Sequence, residues 1–144
     1  MSEQITASAI ISFCGEWEDE AAHFYEQLAQ RFIDQGALFN NMAKDCAKHK
    51  ALVLRTYQET VSDVLETGYA FTDLKPADYL VDLSLPNDTT LAQAAVSAIQ
   101  LEERAISFYQ EVTRRSQSLL ATIPRAFSKV ATKRLERLAQ LRTL

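Results

Sequence analysis

The segments EDEAAHFYEQLA, residues 18–29, and EERAISFYQEVT, residues 102–113, align without a gap, bringing Glu18 onto Glu102, Ala21 onto Ala105, Phe24 onto Phe108 and Tyr25 onto Tyr109. In each copy a Glu is followed seven residues later by the Tyr of a Phe-Tyr pair. Two turns of α-helix take about seven residues, so Glu and Tyr share one helix face in each half. The second helix of each half aligns more weakly. MAKDCAKHKAL from Met42 falls on VATKRLERLAQ from Val130, which sets Cys46 against Arg134 and His49 against Arg137. The chain therefore reads as two related helical hairpins.

The surrounding pattern agrees. Apolar residues recur at three and four from Ile5 to Ile33, through Ile10, Phe13, Cys14, Trp17, Ala21, Tyr25, Leu28 and Phe32. Gly15 interrupts that helix and Gly36 is suited to stop it. A second helix is expected from about Ala37 to about Glu66, ending at Gly68. Residues 67–89 hold two of the three prolines and irregular hydrophobes; they read as a long crossover with one short helical turn at Pro76–Leu80. A third helix is expected from about Thr90 to about Ser118, with Gln93 able to complete a capping box on Thr90. Thr122 and Pro124 suit the start of a fourth that runs nearly to the C-terminus. Two hairpins joined by a long crossover predict an all-α four-helix bundle, a single domain over residues 1–144.

Composition narrows the functional classes. Net charge is −4 with both signs mixed along the chain, which leaves neither a basic footprint for nucleic acid nor a polybasic patch for a membrane. No apolar run approaches bilayer length, and the N-terminal MSEQITASAI lacks the basic start of a secretory leader. Cys14 and Cys46 do not make a disulfide framework and read as reduced thiols of a cytoplasmic protein. No Cys-x-x-Cys, phosphate-binding glycine loop or convincing Ser/His/Asp set is present.

The informative residues are polar ones in apolar stripes. Glu18 has Cys14 a turn before it and Ala21, Ala22 and Tyr25 after it. Glu102 lies between Ala95, Ala98 and Ile99 on one side and Ala105, Ile106 and Tyr109 on the other. Arg134 lies among Phe127, Val130, Leu138 and Leu141, and DCAKH, residues 45–49, turns Cys46 and His49 onto the apolar stripe of the second helix. Buried charge is costly unless it is paired or bound to metal. Four helices thus send polar groups inward at one level. His23, about 140° round the helix from Glu18, reads as a surface residue.

On these motifs the chain resembles the ferritin-like superfamily and, within it, the rubrerythrin-type proteins. That family places a Glu from helices 1 and 3, and Glu-x-x-His from helices 2 and 4, around two irons. The resemblance covers about residues 10–141, and it implies the ferritin-like form of the bundle. Carried across, Glu18, Glu102 and His49 match three ligands, Cys46 stands where the helix 2 Glu belongs, and Arg134 and Arg137 stand where the helix 4 Glu and His belong. Tyr25 and Tyr109 resemble the tyrosines that flank the family's metal site. Arginine cannot ligate a metal, but its guanidinium can fork onto carboxylates.

The first expectation is therefore a non-catalytic bundle with a degenerate diiron site, without cofactor, in which Arg134 and Arg137 form ion pairs with Glu18 and Glu102 where the family holds iron. The second keeps a metal: Glu18, Cys46, His49 and Glu102 would hold one iron or zinc, with peroxidase- or oxidase-type chemistry implied by the resemblance if the metal is redox-active. A third gives the chain an interaction role, as a homodimer or with an unidentified protein partner. Trp17, Tyr69, Phe71 and Tyr79 are candidates for such a surface, with core filling under the crossover as the plainer reading.

Overall fold

The computed structural model describes residues 4–60, 70–116 and 122–144. Four helices carry the fold: α1 (Ala7–Arg31), α2 (Gly36–Thr60), α3 (Leu91–Arg115) and α4 (Thr122–Leu141). α1 packs antiparallel on α2 and α3 on α4, and α2 also meets α4. These are the two expected hairpins. A 3₁₀ turn at Ile33–Gln35 joins α1 to α2, and Gly36 opens α2 instead of lying beyond α1 as a stop. The expected end of α2 near Gly68 and of α3 at Ser118 lie outside the described residues.

Local chemistry sets the helix ends that are described. Thr6 caps α1 by accepting from the Ala9 amide at 3.1 Å. Thr90 and Gln93 form the reciprocal capping box of α3, each side chain bonded to the other residue's backbone amide at 3.1 and 2.9 Å. One element has no counterpart in the sequence reading. Gln4–Thr6 (β1) pairs antiparallel with Ala70–Thr72 (β2), with Ile5 opposite Phe71. Strands of three residues are too short to show an alternating pattern.

The crossover is tied down along its length. Arg31 donates to the Pro86 carbonyl at 2.7 Å, Arg104 donates to the Asp78 carbonyl at 3.2 Å, and Arg115 donates to the Thr72 carbonyl. The 3₁₀ turn at Pro76–Tyr79 sits where a short helical turn is expected, and Tyr79 meets the Phe108 ring edge-on at 5.2 Å. Phe13 and Trp17 of α1 reach the same Phe108 ring at 5.2 and 5.7 Å. Trp17 and Phe71 are buried, so both fill the core under the crossover rather than line an outer surface. Tyr69 lies outside the described residues. His23 is exposed, as its position on the helix requires.

One contiguous core runs from Ala7 through Phe39, Phe108 and Phe127 to Leu141. Gly15 is buried in α1 against α2, but the neighbouring helix leaves room: a Cβ there would meet Lys50 Cε at 3.6 Å, an ordinary contact. Gly15→Ala should therefore recover the helix propensity that glycine forfeits. We expect a gain of about 0.5–1 kcal/mol, or about 2–4 °C in melting temperature by calorimetry. A loss of stability would mean that α1 and α2 approach more closely than this geometry gives.

Candidate functional site: a buried arginine between two carboxylates

Midway along the bundle, three charged side chains meet out of contact with water. Glu18 of α1, Glu102 of α3 and Arg134 of α4 are each only 2% exposed. Nη1 of Arg134 donates to Glu102 Oε1 and Oε2 at 2.8 and 2.7 Å, and Nη2 donates to Glu18 Oε1. One guanidinium thus joins the carboxylates of both hairpins. Tyr25 supports it by donating from its hydroxyl to Glu102 Oε2 at 2.6 Å. This bond crosses from one repeat to the other. The matching Tyr109 serves differently: its ring lies 5.9 Å from Arg134 Cζ, and its hydroxyl adjoins the Cys14 thiol.

The second helix supplies the remaining wall. Cys46 Sγ is 3.9 Å from Arg134 Nη2, so the repeat-related pair Cys46 and Arg134 are neighbours at one level. His49 Nδ1 stands 3.4 Å from Glu18 Oε2. That separation is long for a hydrogen bond, and neither ring nitrogen of His49 has a hydrogen-bond partner among the described residues.

Arg137 behaves otherwise than expected. It pairs with neither Glu18 nor Glu102; its Nε donates to Asp45 Oδ2 at 2.5 Å, and Nη2 bonds the same oxygen. The reason is rotation. Three residues beyond Arg134, its side chain is turned about 60° from the centre of the stripe and emerges partly exposed between α2 and α4. Asp45, buried in α2, is the partner the sequence reading missed. Its signal was present: a carboxylate one turn before His49 faces the α4 cations across the same seam.

Burial dominates the acid–base chemistry. It pushes the Cys46 thiol well up, with Glu102 and Asp45 adding to the effect, so Cys46 is a protonated thiol. Cys14 is pushed up for the same reason. Burial lowers His49 below its usual value, against the pull of Glu102 and Asp45, which leaves a neutral imidazole at pH 7. Arg134 is pulled down to about 9 by burial and so stays cationic at neutral pH. Two carboxylates facing one guanidinium leave an excess of negative charge. Burial answers it by pushing Glu102 up to about 7, opposed by the Tyr25 hydrogen bond and the nearby His49.

The residues present do not fit a diiron centre. The position between Glu18 and Glu102 is filled by a guanidinium, and a metal cation there would meet Arg134 at contact distance. Nor does the set of Glu18, Cys46, His49 and Glu102 close on one point: among the described residues, no three His, Cys, Asp or Glu side chains are grouped to hold a metal ion. Among the described residues no helix is long and apolar enough to cross a membrane. Comparison with family models, with curated proteins and with solved structures finds no match for the chain.

Removing Arg134 alone strands two buried carboxylates. Arg134→Met should cost about 3–5 kcal/mol in urea unfolding, and adding Glu18→Gln and Glu102→Gln to it should restore much of the loss. Equal stability of the single variant and the unmutated chain would show that the guanidinium is not the partner of these carboxylates.

Glu102 also sets a pH dependence. Its pKa is raised from 4.5 to about 7 on folding, so its contribution is fully present below about 4.5 and is lost as pH rises through about 7. His49, lowered from 6.5, works in the opposite direction, adding stability as pH rises towards 6.5. The Glu102 part is therefore read as a difference. Between pH 4.5 and 7, stability relative to Glu102→Gln should fall with rising pH by at most about 3 kcal/mol. Parallel profiles for the two proteins would contradict the assignment.

Proposed function

We propose that this chain is a ferritin-like bundle of rubrerythrin type in which an ion-pair network has taken the place of the diiron centre, and that it is a non-catalytic cytoplasmic protein. The observation that carries the reading is Arg134, buried between Glu18 and Glu102 and bonded to both. In the family pattern those glutamates face the irons from helices 1 and 3, and the fourth helix sends its own ligands to the same place. Here the fourth helix sends a cation. Its guanidinium supplies positive charge and fixed donors where the family has metal, and it joins the same pair of helices.

Other features agree. The repeat relation sets Cys46 opposite Arg134, and the two are 3.9 Å apart, as replaced ligands at one level would be. Cys46 keeps its proton through burial, which disfavours both metal ligation and nucleophilic attack. Both cysteines are free and buried, as suits a reducing compartment. The same network would hold the two hairpins in register and so preserve the bundle without its cofactor.

Elemental analysis of protein challenged with Fe(II), Mn(II) and Zn(II) and then desalted tests the reading. We expect well under one metal per chain. The triple variant Cys46→Glu, Arg134→Glu, Arg137→His restores the family ligand types and should gain iron or manganese. Two irons in the unmutated chain would return the protein to diiron chemistry, and one zinc or iron lost on substitution of His49 would favour the mononuclear site.

A further inference from the structure

A cavity of about 530 Å³ opens between α2 and α4, on the side of His49 away from the ion-pair network. Its volume lies in the range of small-ligand sites. Leu52 and Val130 give it an apolar lining, and Lys48, Arg55 and Lys129 stand exposed around it. His49 is the buried polar group on its wall, 7% exposed, with both ring nitrogens unpartnered among the described residues.

The charges around the cavity do not cancel. Asp45 is committed to Arg137, and Glu136 lies 3.4 Å from Lys133. Lys48, Arg55 and Lys129 then remain, three cations with no acidic partner recorded among the described residues. In a chain of net charge −4 such a local excess is not what composition alone would distribute.

We propose that this cavity is a binding site for a small amphipathic anion: a carboxylate or phosphate monoester carrying a short apolar chain. The chain would cover Leu52 and Val130, and the anionic head would meet the lysines and arginine beside the His49 ring. His49 also touches the core network, its Nδ1 3.4 Å from Glu18 Oε2. Ligand binding at the cavity is thereby one contact from the bond that joins the hairpins. The site stands on its own geometry and does not depend on the family reading above.

The test is an amide-shift NMR titration of the full chain with octanoate, octyl phosphate, octanol and octylammonium, which share a chain length and differ in head group. We expect saturable shifts clustered at residues 45–55 and 129–136 with one or both anions, at least tenfold weaker with octanol and absent with octylammonium. A response to octanoate alone identifies a carboxylate site, and one to octyl phosphate alone a phosphate site. Lys129→Glu, a substitution of an exposed residue, should weaken anion binding at least fivefold without lowering the melting temperature. The proposal is overturned if neither anion saturates by millimolar concentration, or if octanol binds as well as the anions. It is overturned equally if the same amides shift with protein concentration alone, since a second copy would then occupy the cavity.

Discussion

The guanidinium of Arg134 is the constraint on which the rest of this bundle depends. Its two nitrogens bond carboxylates from opposite hairpins, so α1, α3 and α4 are fixed to one another at a single level. Hydrophobic packing alone would tolerate a turn of sliding between helices whose stripes are mostly Ala, Leu and Phe. A fork of charged hydrogen bonds does not, because every displaced register leaves a buried charge without its partner. The network's value therefore lies in specifying an arrangement more than in adding stability. Three well-packed apolar side chains of similar volume could hold the same space with less desolvation.

The surroundings of the network follow from its imbalance. With two carboxylates to one guanidinium, the excess negative charge must be hydrogen-bonded, neutralised by a proton, or both. Tyr25 answers the first need at Glu102, and burial, which pushes the Glu102 carboxyl up, serves the second. At Glu18 no such donor is in place: Oε2 has no hydrogen-bond partner among the described residues and faces His49 at 3.4 Å. The repeat supplies Tyr25 and Tyr109 at equivalent positions, yet only Tyr25 reaches a carboxylate. The symmetry of the sequence is thus broken in the chemistry, and the less satisfied end is the one that adjoins the α2–α4 cavity.

Much of this is legible in the amino-acid sequence. Glu18, Glu102 and Arg134 stood out because each is a charge set within an apolar helical stripe, where the bundle buries it. The Thr90–Gln93 capping box was equally plain, since its two bonds are local. The pairing of Arg134 with both glutamates was legible too, but the partner of Arg137 was not. Arg137 lies three residues from Arg134, close enough in rotation to look inward, yet the turn of about 60° brings it to the seam where Asp45 waits. Asp45 was passed over because its partner comes from another helix 92 residues away. The β1–β2 pair is hidden for a related reason: three-residue strands carry no period, and their register is set by contacts between Ile5 and Phe71 across most of the first half of the chain.

Glu18 and Glu102 send two carboxylates into one dry interior, where they would repel each other without a cation between them, and the Arg134 guanidinium supplies that cation. Cys46, next to Arg134, needs only to be small and uncharged, and a buried protonated thiol satisfies that. His49 differs, because its ring carries two nitrogens without a hydrogen-bond partner among the described residues, which a purely structural side chain would not require. An apolar residue would fill the same space more cheaply. That the imidazole stands beside Lys48, Arg55 and Lys129, which have no acidic partner among the described residues, and one contact from Glu18, is the feature of this interior that the ion-pair network alone does not explain.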